Sequence, residues 1–148
     1  MENKNLLLIL VVVIAVVAVA AVVVVNGNSG VDIGGLKFNI PEKFVENTQQ
    51  SINTTNTTVS GVTVNKTVKQ FDNGNESIII FVFETESSDV AKQKHNEDVK
   101  PQGETKTING KEGTYMKDSM DVGFSYCDNN YIVTIRSTND TLLESVVP

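Results

Sequence analysis

The feature that most constrains this chain is an uninterrupted apolar segment close to its amino terminus. Residues 6–25 read LLLILVVVIAVVAVAAVVVV, without a charged or polar side chain. At about 1.5 Å of rise per residue, a helix of this length spans a hydrocarbon core of about 30 Å. A buried core helix would need apolar cover on every side, which the more polar remainder of the chain does not supply. The segment therefore predicts a transmembrane helix.

Two fates of this segment stay open. Ala18-Val19-Ala20 resembles the cleavage site of a secretory signal peptide. However, the apolar run continues to Val25 and exceeds the apolar region of about 7–15 residues that is usual in such peptides. No Cys directly follows the segment to carry a lipoprotein anchor. We favour an uncleaved anchor over a cleaved leader.

The charges on either side of the segment predict its orientation. Lys4 and the α-amino group precede it, against Glu2, and beyond it no Lys or Arg occurs before Lys37. Because positive charge is retained on the cytoplasmic side, we expect the amino terminus inside and the body outside the cell membrane. The predicted organisation is a cytoplasmic flank at 1–5, the anchor at 6–25, a flexible Gly- and Asn-rich tether at 26–35 and an extracytoplasmic domain at 36–148.

Charge and cysteine content narrow the classes of partner. The net charge is −6, and since Glu2 and Lys4 cancel, it belongs to the part after the anchor. An acidic domain repels phosphate backbones and anionic headgroups, which argues against nucleic acid as a partner and against a second contact with lipid. Cys127 is the only cysteine, so no intramolecular disulfide can form.

Three turn signals divide the predicted domain into hairpins. Asn73-Gly74, Asn109-Gly110 and Asn129-Asn130 each separate two runs that are rich in β-branched and aromatic residues. Asn-Gly suits the two positive φ angles of a type I′ turn. The separated runs are 62–71 and 77–83, 105–108 and 111–116, and 122–127 and 131–137. A short strand is also predicted at 36–40, and 46–58 is predicted to be a loop because it lacks apolar periodicity.

The burial pattern then predicts how these strands are covered. Residues 78–83 are apolar at both parities, so this strand belongs at the centre of the sheet with both faces covered. Two helices are available, one at 89–100 after a Ser87-Ser88 cap and one at 142–147 after an Asn139 or Asp140 cap. The predicted fold class is α+β, a mainly antiparallel sheet of about six or seven strands with flanking helices, preceded by one transmembrane helix.

Few residues offer catalytic or metal-binding chemistry. His95 is the only histidine and lies in the charged stretch KHNED, which is typical of a solvated helix face. His95 and Asp98 are one helical turn apart, but two ligands are too few for a metal site. The sequence contains no nucleophile elbow of the G-x-S-x-G type. We predict no catalytic residue, no metal site and no cofactor.

The remaining polar groups also point to no site. Cys127 ends a predicted strand beside Asp128, whose carboxylate is expected to raise the thiol pKa, so we expect an inert, partly buried thiol. The acidic pairs Asp118/Asp121 and Glu84/Glu86 are interpreted as solvated charges. Neither pair lies in the D-x-D-x-D-G pattern of a calcium loop.

Five Asn-x-Ser/Thr triplets are the sequence feature that says most about function. They begin at Asn53, Asn56, Asn65, Asn75 and Asn139, and none has Pro in the middle position. A composition so rich in Asn, Ser and Thr gives roughly two or three such triplets by chance. The excess gains meaning from the predicted outside location, where these residues are possible N-glycosylation sites. We expect Asn53 and Asn56 in an accessible loop, and Asn65 in a strand whose polar face must stay wet for modification.

Three short motifs follow one another along the predicted domain. FNIPEKF at 38–44 is similar to an F-x-I-P-x-x-F opening, and INGKEG at 108–113 is similar to an I-x-G-x-x-G turn. YIVTI at 131–135 and LLESV at 142–146 resemble a closing strand and helix. Together they resemble the PsbP-like superfamily of small exported proteins, which includes membrane-anchored archaeal ones. The resemblance implies an antiparallel sheet flanked by helices over most of 36–148, and it implies no site because functions in the superfamily differ.

Three functions are compatible with these features. The favoured one is a non-enzymatic, glycosylated surface or envelope module for binding or assembly with an envelope or surface protein, held by the membrane anchor. The second is a membrane-tethered small-molecule or lipid-binding domain with a pocket between the sheet and the weakly amphipathic helix at 89–100. The third and least favoured is a metal-dependent hydrolase that uses His95 with nearby carboxylates.

Membrane extraction tests the anchor. The chain should stay in the membrane pellet at high salt and in alkaline carbonate, because an inserted apolar helix is released only by detergent. The double variant Ala15→Arg and Val17→Asp should be released, since each charge at the centre of a transmembrane helix costs about 3 kcal/mol. Release of the unaltered chain by carbonate would contradict the prediction.

Overall fold

The structure is a computed structural model, and it describes residues 30–148. The predicted cytoplasmic flank, the anchor at 6–25 and residues 26–29 of the tether lie outside the described residues. Among the helices of residues 30–148, none has the length and apolar character needed to cross a membrane.

Strands dominate the described part of the chain. They are β1 (Val31–Ile33), β2 (Leu36–Phe38), β3 (Val45–Glu46), β4 (Ile52–Val59), β5 (Val62–Asp72), β6 (Ser77–Glu84), β7 (Glu104–Ile108), β8 (Lys111–Lys117), β9 (Val122–Asp128) and β10 (Tyr131–Ser137). The helices are α1 (Ser88–Lys94) and α2 (Asp140–Val146). α1 continues directly into a π-helical turn (His95–Val99) and a 3-10 turn (Lys100–Gln102). We call residues 88–102 the composite helix.

Eight strands form one antiparallel sheet. Its order is β3-β5-β6-β10-β9-β8-β7, and β4 pairs with β5 beside β3. The three hairpins predicted from their turns are present as β5–β6, β7–β8 and β9–β10. At Asn109 and Gly110 the φ angles are 50° and 80°, which Asn and Gly adopt with the least strain. The predicted α+β class with a mainly antiparallel sheet is confirmed, although the sheet has eight strands and not the six or seven that were predicted.

The central strand β6 is buried on both faces, as its sequence predicts. Its even-numbered side chains from 78 to 82 pack in a core with α2 and with the hairpin of β1 and β2. Its odd-numbered side chains from 79 to 83 pack in a second core with Val99 of the composite helix. We call these two sides of the sheet the α2 face and the α1 face. Each large apolar side chain buried in this way stabilises the fold by about 1.5–3 kcal/mol.

Both helices start at polar residues that cap free backbone amides. The Ser87 hydroxyl accepts the N–H of Val90 at 3.3 Å. The Asn139 side-chain oxygen accepts the N–H of Leu142 at 2.9 Å. Such a cap contributes about 1 kcal/mol. The predicted caps at Ser87 and Asn139 are confirmed, although the second helix begins at Asp140 and not at Leu142.

The loop prediction for 46–58 was wrong, because most of this segment forms β4. Among the described residues β4 pairs only with β5, and nearly all of its side chains are exposed. A strand that is wet on both faces shows no apolar alternation, although its Thr residues favour extended backbone. A bulge between Thr54 and Thr57, where Asn56 has a φ of 49°, interrupts the ladder.

The predicted tether was wrong at its carboxy-terminal end. Val31–Ile33 forms β1 and pairs with β2 across the turn at Gly34 and Gly35. Ile33 is fully buried in the core of the α2 face. A Cβ at Gly34 would lie 2.9 Å from Cγ1 of Val82, so the turn packs too closely on the sheet for a side chain. The folded domain therefore begins no later than Val31.

A buried ion pair holds the turn between β8 and β9. Arg136 donates from Nε to Asp121 Oδ2 at 2.8 Å and from Nη2 to Asp118 Oδ2 at 2.9 Å. Asp118 also accepts the N–H groups of Met120 and Asp121, and these bonds hold its pKa below the usual range. The interpretation of this acidic pair as solvated charges was wrong for Asp121, which is buried.

Two buried glycines in neighbouring strands offer matched substitutions. A Cβ at Gly113 in β8 would lie 2.3 Å from the backbone oxygen of Ser125, whereas a Cβ at Gly123 in β9 would meet nothing closer than 3.5 Å. Gly113→Ala should lower the free energy of unfolding by about 3 kcal/mol. Gly123→Ala should leave it unchanged or raise it by up to about 1 kcal/mol. Urea unfolding followed by circular dichroism measures both, and equal effects would contradict the packing described.

Candidate functional site

The α1 face of the sheet has an apolar part and a polar part. Over β5 and β6 it carries the second hydrophobic core. Over β7, β8 and β9 the side chains that point to this face are mainly polar. They include Thr105, Glu112, Thr114, Ser125 and Cys127. The composite helix therefore lies on a surface that is apolar at one side and hydrophilic at the other.

The composite helix spans this boundary with its π-helical turn. The N–H of Lys100 donates to the carbonyl of His95, five residues earlier, which widens the turn relative to an α-helix. The two buried residues of the turn are His95 and Val99. Val99 joins the apolar core, whereas His95 contacts the polar part of the face. Turns of this kind are rare and occur frequently at functional sites.

A cleft of about 280 Å³ lies between the composite helix and the polar part of the sheet. Small-molecule sites usually enclose about 300–1,000 Å³, and this cleft has room for about nine water molecules. The helix contributes Lys92, His95, Asn96 and Lys100 to its walls, and the sheet contributes Thr105, Glu112, Gly113, Thr114 and Cys127. Polar groups on both walls suit the cleft to a small polar ligand.

His95 is fixed in one orientation at the wall of the cleft. Its Nε2 lies 3.0 Å from the backbone oxygen of Ser125. A carbonyl oxygen only accepts, so Nε2 carries the proton and Nδ1 is the basic nitrogen. Burial lowers the pKa of His95, and the positive charge of Lys100 lowers it further against the opposing effect of the Ser125 bond. The imidazole is therefore neutral at physiological pH.

Cys127 lies on the sheet wall of the same cleft. Its Sγ is 3.6 Å from the backbone oxygen of Ala91. Burial raises the pKa of the thiol to about 11, and the nearby Lys92 only partly offsets this effect. The expected inert and half-buried thiol agrees with this geometry, although the cause is burial and not the carboxylate of Asp128.

The charges around the cleft are mainly positive, opposite in sign to the whole chain. Lys92 and Lys100 face one acidic residue, Glu112, whereas the chain carries a net charge of −6. Neither lysine forms an ion pair within residues 30–148. By contrast, Lys94 on the other side of the helix pairs with Glu97 at 3.1 Å.

A second, apolar crevice lies on the other side of the composite helix. It is lined by Val59, Ser60, Val62, Val64, Phe83, Thr85, Lys94, Asp98, Val99, Ile132 and Thr134. Its volume is about 40 Å³, which is close to the space that one water molecule occupies. This crevice is too small for an acyl chain.

The expectation that His95 lies on a solvated face was wrong, since its exposed fraction is 8%. Its neighbours in the sequence are charged, but His95 lies four residues after the buried Ala91 and therefore on the same inward face of the composite helix. Asp98 lines the apolar crevice and not the cleft, so it does not join His95 as a ligand pair. Within residues 30–148, no three His, Cys, Asp or Glu side chains converge in a way that could hold a metal ion.

Three of the five predicted glycosylation sites are exposed. Asn53 and Asn56 lie on β4, and Asn75 lies in the turn between β5 and β6. Asn53 and Asn56 are exposed on the edge strand β4, although a loop and not a strand was predicted for them. Their side chains are accessible to a modifying enzyme in the folded domain.

The other two sites use their amide nitrogens within the fold. Asn65 Nδ2 donates to Glu84 at 3.1 Å, and Asn139 Nδ2 donates to Glu76 at 2.7 Å. Because a glycan is attached at this nitrogen, modification would disturb both bonds.

The acidic pair Glu84/Glu86 was predicted to be solvated. Glu84 is half-buried and hydrogen-bonded, whereas Glu86 is exposed as expected.

Comparison of the chain with protein-family models, with curated proteins and with solved structures finds no match. The cleft is therefore interpreted from its own geometry. The resemblance to the PsbP-like superfamily stays a prediction.

A pocket between the sheet and the helix at 89–100 is part of the second predicted function, but the residues that line the cleft were not predicted, although one signal pointed to them. Lys92, Asn96 and Lys100 recur every four residues and form a polar stripe along the composite helix. Such a stripe usually faces solvent, and only the pairing of β7, β8 and β9 places a polar sheet surface beside it. The sheet residues of the cleft are separated by up to 22 positions, from Thr105 to Cys127, and share no motif.

Alkylation tests the environment of Cys127. A thiol with a pKa of about 11 should react with iodoacetamide at pH 8 about tenfold more slowly than an exposed one, because its lower thiolate fraction outweighs its higher nucleophilicity. The matched control is Ser119→Cys in a Cys127→Ser background, since Ser119 is exposed. Equal rates, measured by mass spectrometry, would contradict the buried position of the thiol.

Proposed function

We propose that this protein is a membrane-tethered extracytoplasmic domain that binds a small polar ligand in the cleft between its composite helix and its sheet. The observation that carries the proposal is the cleft of about 280 Å³ between the composite helix and the sheet, which is lined by polar groups from both sides. The anchor and the outward orientation belong to the proposal and rest on the sequence.

Binding is favoured over catalysis by the state of the two reactive side chains in the cleft. The Nε2–H of His95 is committed to the Ser125 carbonyl. The thiol of Cys127 is protonated at neutral pH, because its pKa is about 11. A cysteine acts as a nucleophile through its thiolate, and burial of Cys127 disfavours that form.

A polar ligand is favoured over a lipid by the sizes of the two cavities. The apolar crevice of about 40 Å³ has no room for an acyl chain. The larger cleft has hydroxyl, amide and ammonium groups on its walls, and burying these against hydrocarbon would leave them without hydrogen bonds.

A second candidate function, assembly with an envelope or surface protein, is favoured by the edge strand β4. Its side chains are almost all exposed, and the residues INTTNTTV carry no charge that would repel an added strand. Glycans at Asn53 or Asn56 would obstruct such pairing. Assembly through this edge and glycosylation of these two residues therefore exclude one another.

Amide NMR spectra of the full chain in lipid nanodiscs test the ligand-binding proposal. The probes are inorganic phosphate, acetate, glucose and tetramethylammonium, one from each charge class of small polar molecule. At least one should shift the amide signals of Thr114 and of its neighbours in the cleft in a saturable manner. The signals of β4 should not move.

Two tryptophan variants provide the control. Thr105 and Thr141 are both exposed, but Thr105 lines the cleft and Thr141 lies on α2, at the other face of the sheet. Thr105→Trp should fill the cleft and abolish the shifts, whereas Thr141→Trp should preserve them. If no probe class gives saturable shifts, or if both variants bind equally, the cleft is not the binding site.

A further inference from the structure

Hydrogen-bond donors and positive charges predominate at the cleft. Lys92 and Lys100 supply ammonium groups, Asn96 supplies an amide, and Thr105 and Thr114 supply hydroxyl groups. The single carboxylate among the lining residues belongs to Glu112. Oxyanions are bound in proteins by this combination of cationic and neutral donors.

The two lysines flank the middle of the cleft. They are eight residues apart on the composite helix, or about 12 Å along its axis at 1.5 Å per residue. His95 and Asn96 lie between them in the sequence and also line the cleft. Because neither lysine has an ion-pair partner within residues 30–148, both long side chains are free to converge on a ligand from opposite ends.

We propose that the ligand of the cleft is a small oxyanion, with a phosphate or carboxylate group held between Lys92 and Lys100 over Asn96. This inference rests on the proposed function and names its ligand class. A cationic ligand would be repelled by both ammonium groups, and a neutral ligand would gain nothing from their charge.

Glu112 sets the selectivity of the site. It faces the composite helix from β8 and is the one group among the lining residues that repels an anion. Replacing Glu112 by Gln removes this repulsion and retains the size of the side chain. Glu112→Gln should therefore strengthen the binding of phosphate, whereas loss of the lysines should weaken it.

His95 reports occupancy of the cleft. The charged or titratable groups that line the cleft with it are Lys92 and Lys100 from the composite helix, Glu112 from β8 and the protonated thiol of Cys127 from β9. The pKa of His95 is lowered by burial and then by Lys100. An anion beside Lys100 offsets the positive charge of this lysine, so anion binding raises the pKa of His95. By linkage, the affinity for the anion rises as the pH falls.

NMR titration of the imidazole tests the inference in the full chain in nanodiscs. His95 is the only histidine, so a single ring resonance reports on the site. At constant ionic strength, phosphate or acetate should shift this resonance saturably and raise the pKa of His95, while chloride and glucose should not. Lys92→Gln with Lys100→Gln should weaken the response about tenfold or more.

The control matches the change in charge at a distance from the cleft. Lys43 and Lys117 are exposed and do not line the cleft, so Lys43→Gln with Lys117→Gln should leave anion affinity within about twofold of the parent. Equal losses in the two double variants would overturn the inference, because they would indicate a general effect of net charge. All four lysines are exposed, so folding is retained and the amide spectrum confirms it.

The remaining outcomes separate this inference from the proposed function. If glucose or tetramethylammonium shifts the cleft signals and the anions do not, the cleft binds a ligand but the oxyanion assignment is wrong. If no probe shifts the signals of the cleft, the proposed function and the oxyanion inference are both wrong.

Nanodiscs of phosphatidylcholine with and without phosphatidylglycerol identify the source of the anion. A shift with phosphatidylglycerol alone supports a lipid headgroup, and a shift only with added phosphate supports a soluble ligand.

Discussion

The fold depends on a central strand that is apolar on both faces. Residues 78–83 of β6 present large apolar side chains to both sides of the sheet. Burying each of them stabilises the fold by about 1.5–3 kcal/mol. On the α2 face this cover is complete, since α2 and the hairpin of β1 and β2 form a continuous core. On the α1 face the composite helix brings only Ala91 and Val99 as buried apolar residues. A helix with so little apolar surface buries only part of this face. The cleft lies where the polar side of the composite helix meets the polar part of the sheet.

The sequence predicts the parts of the fold that are encoded locally. The turn at Asn109-Gly110 and the cap at Asn139 depend on one or two residues whose backbone preferences are strong, and both are correctly placed. β4 escaped prediction because an edge strand with two wet faces has no apolar alternation. β1 escaped because three residues with one buried side chain, Ile33, give no periodic signal. The residues that line the cleft escaped because the charged neighbours of His95 in the sequence suggested a solvated face, whereas His95 is buried together with Ala91 and Val99, four residues before and after it.

Charge distribution gives the molecule two different surfaces. The chain as a whole is acidic, which disfavours contact with anionic lipid. At the cleft, Lys92 and Lys100 outnumber Glu112, so a small anion meets a locally favourable field within a repulsive surrounding. The edge strand β4 is uncharged and carries two exposed Asn-x-Thr triplets, at Asn53 and Asn56. Under the two proposed functions, small ligands and protein partners would bind to separate regions of one small domain.

The central claim is that the composite helix turns His95 inward and commits its Nε2–H to the carbonyl of Ser125, which forms one wall of a polar cleft. Long-range ¹H–¹⁵N NMR of the ligand-free chain at pH 6.5 measures the tautomer and charge of this single imidazole directly. The account predicts a mainly neutral ring with the proton on Nε2, because burial holds the pKa of His95 below 6.5. A half-protonated ring, or a neutral ring protonated on Nδ1, would contradict it.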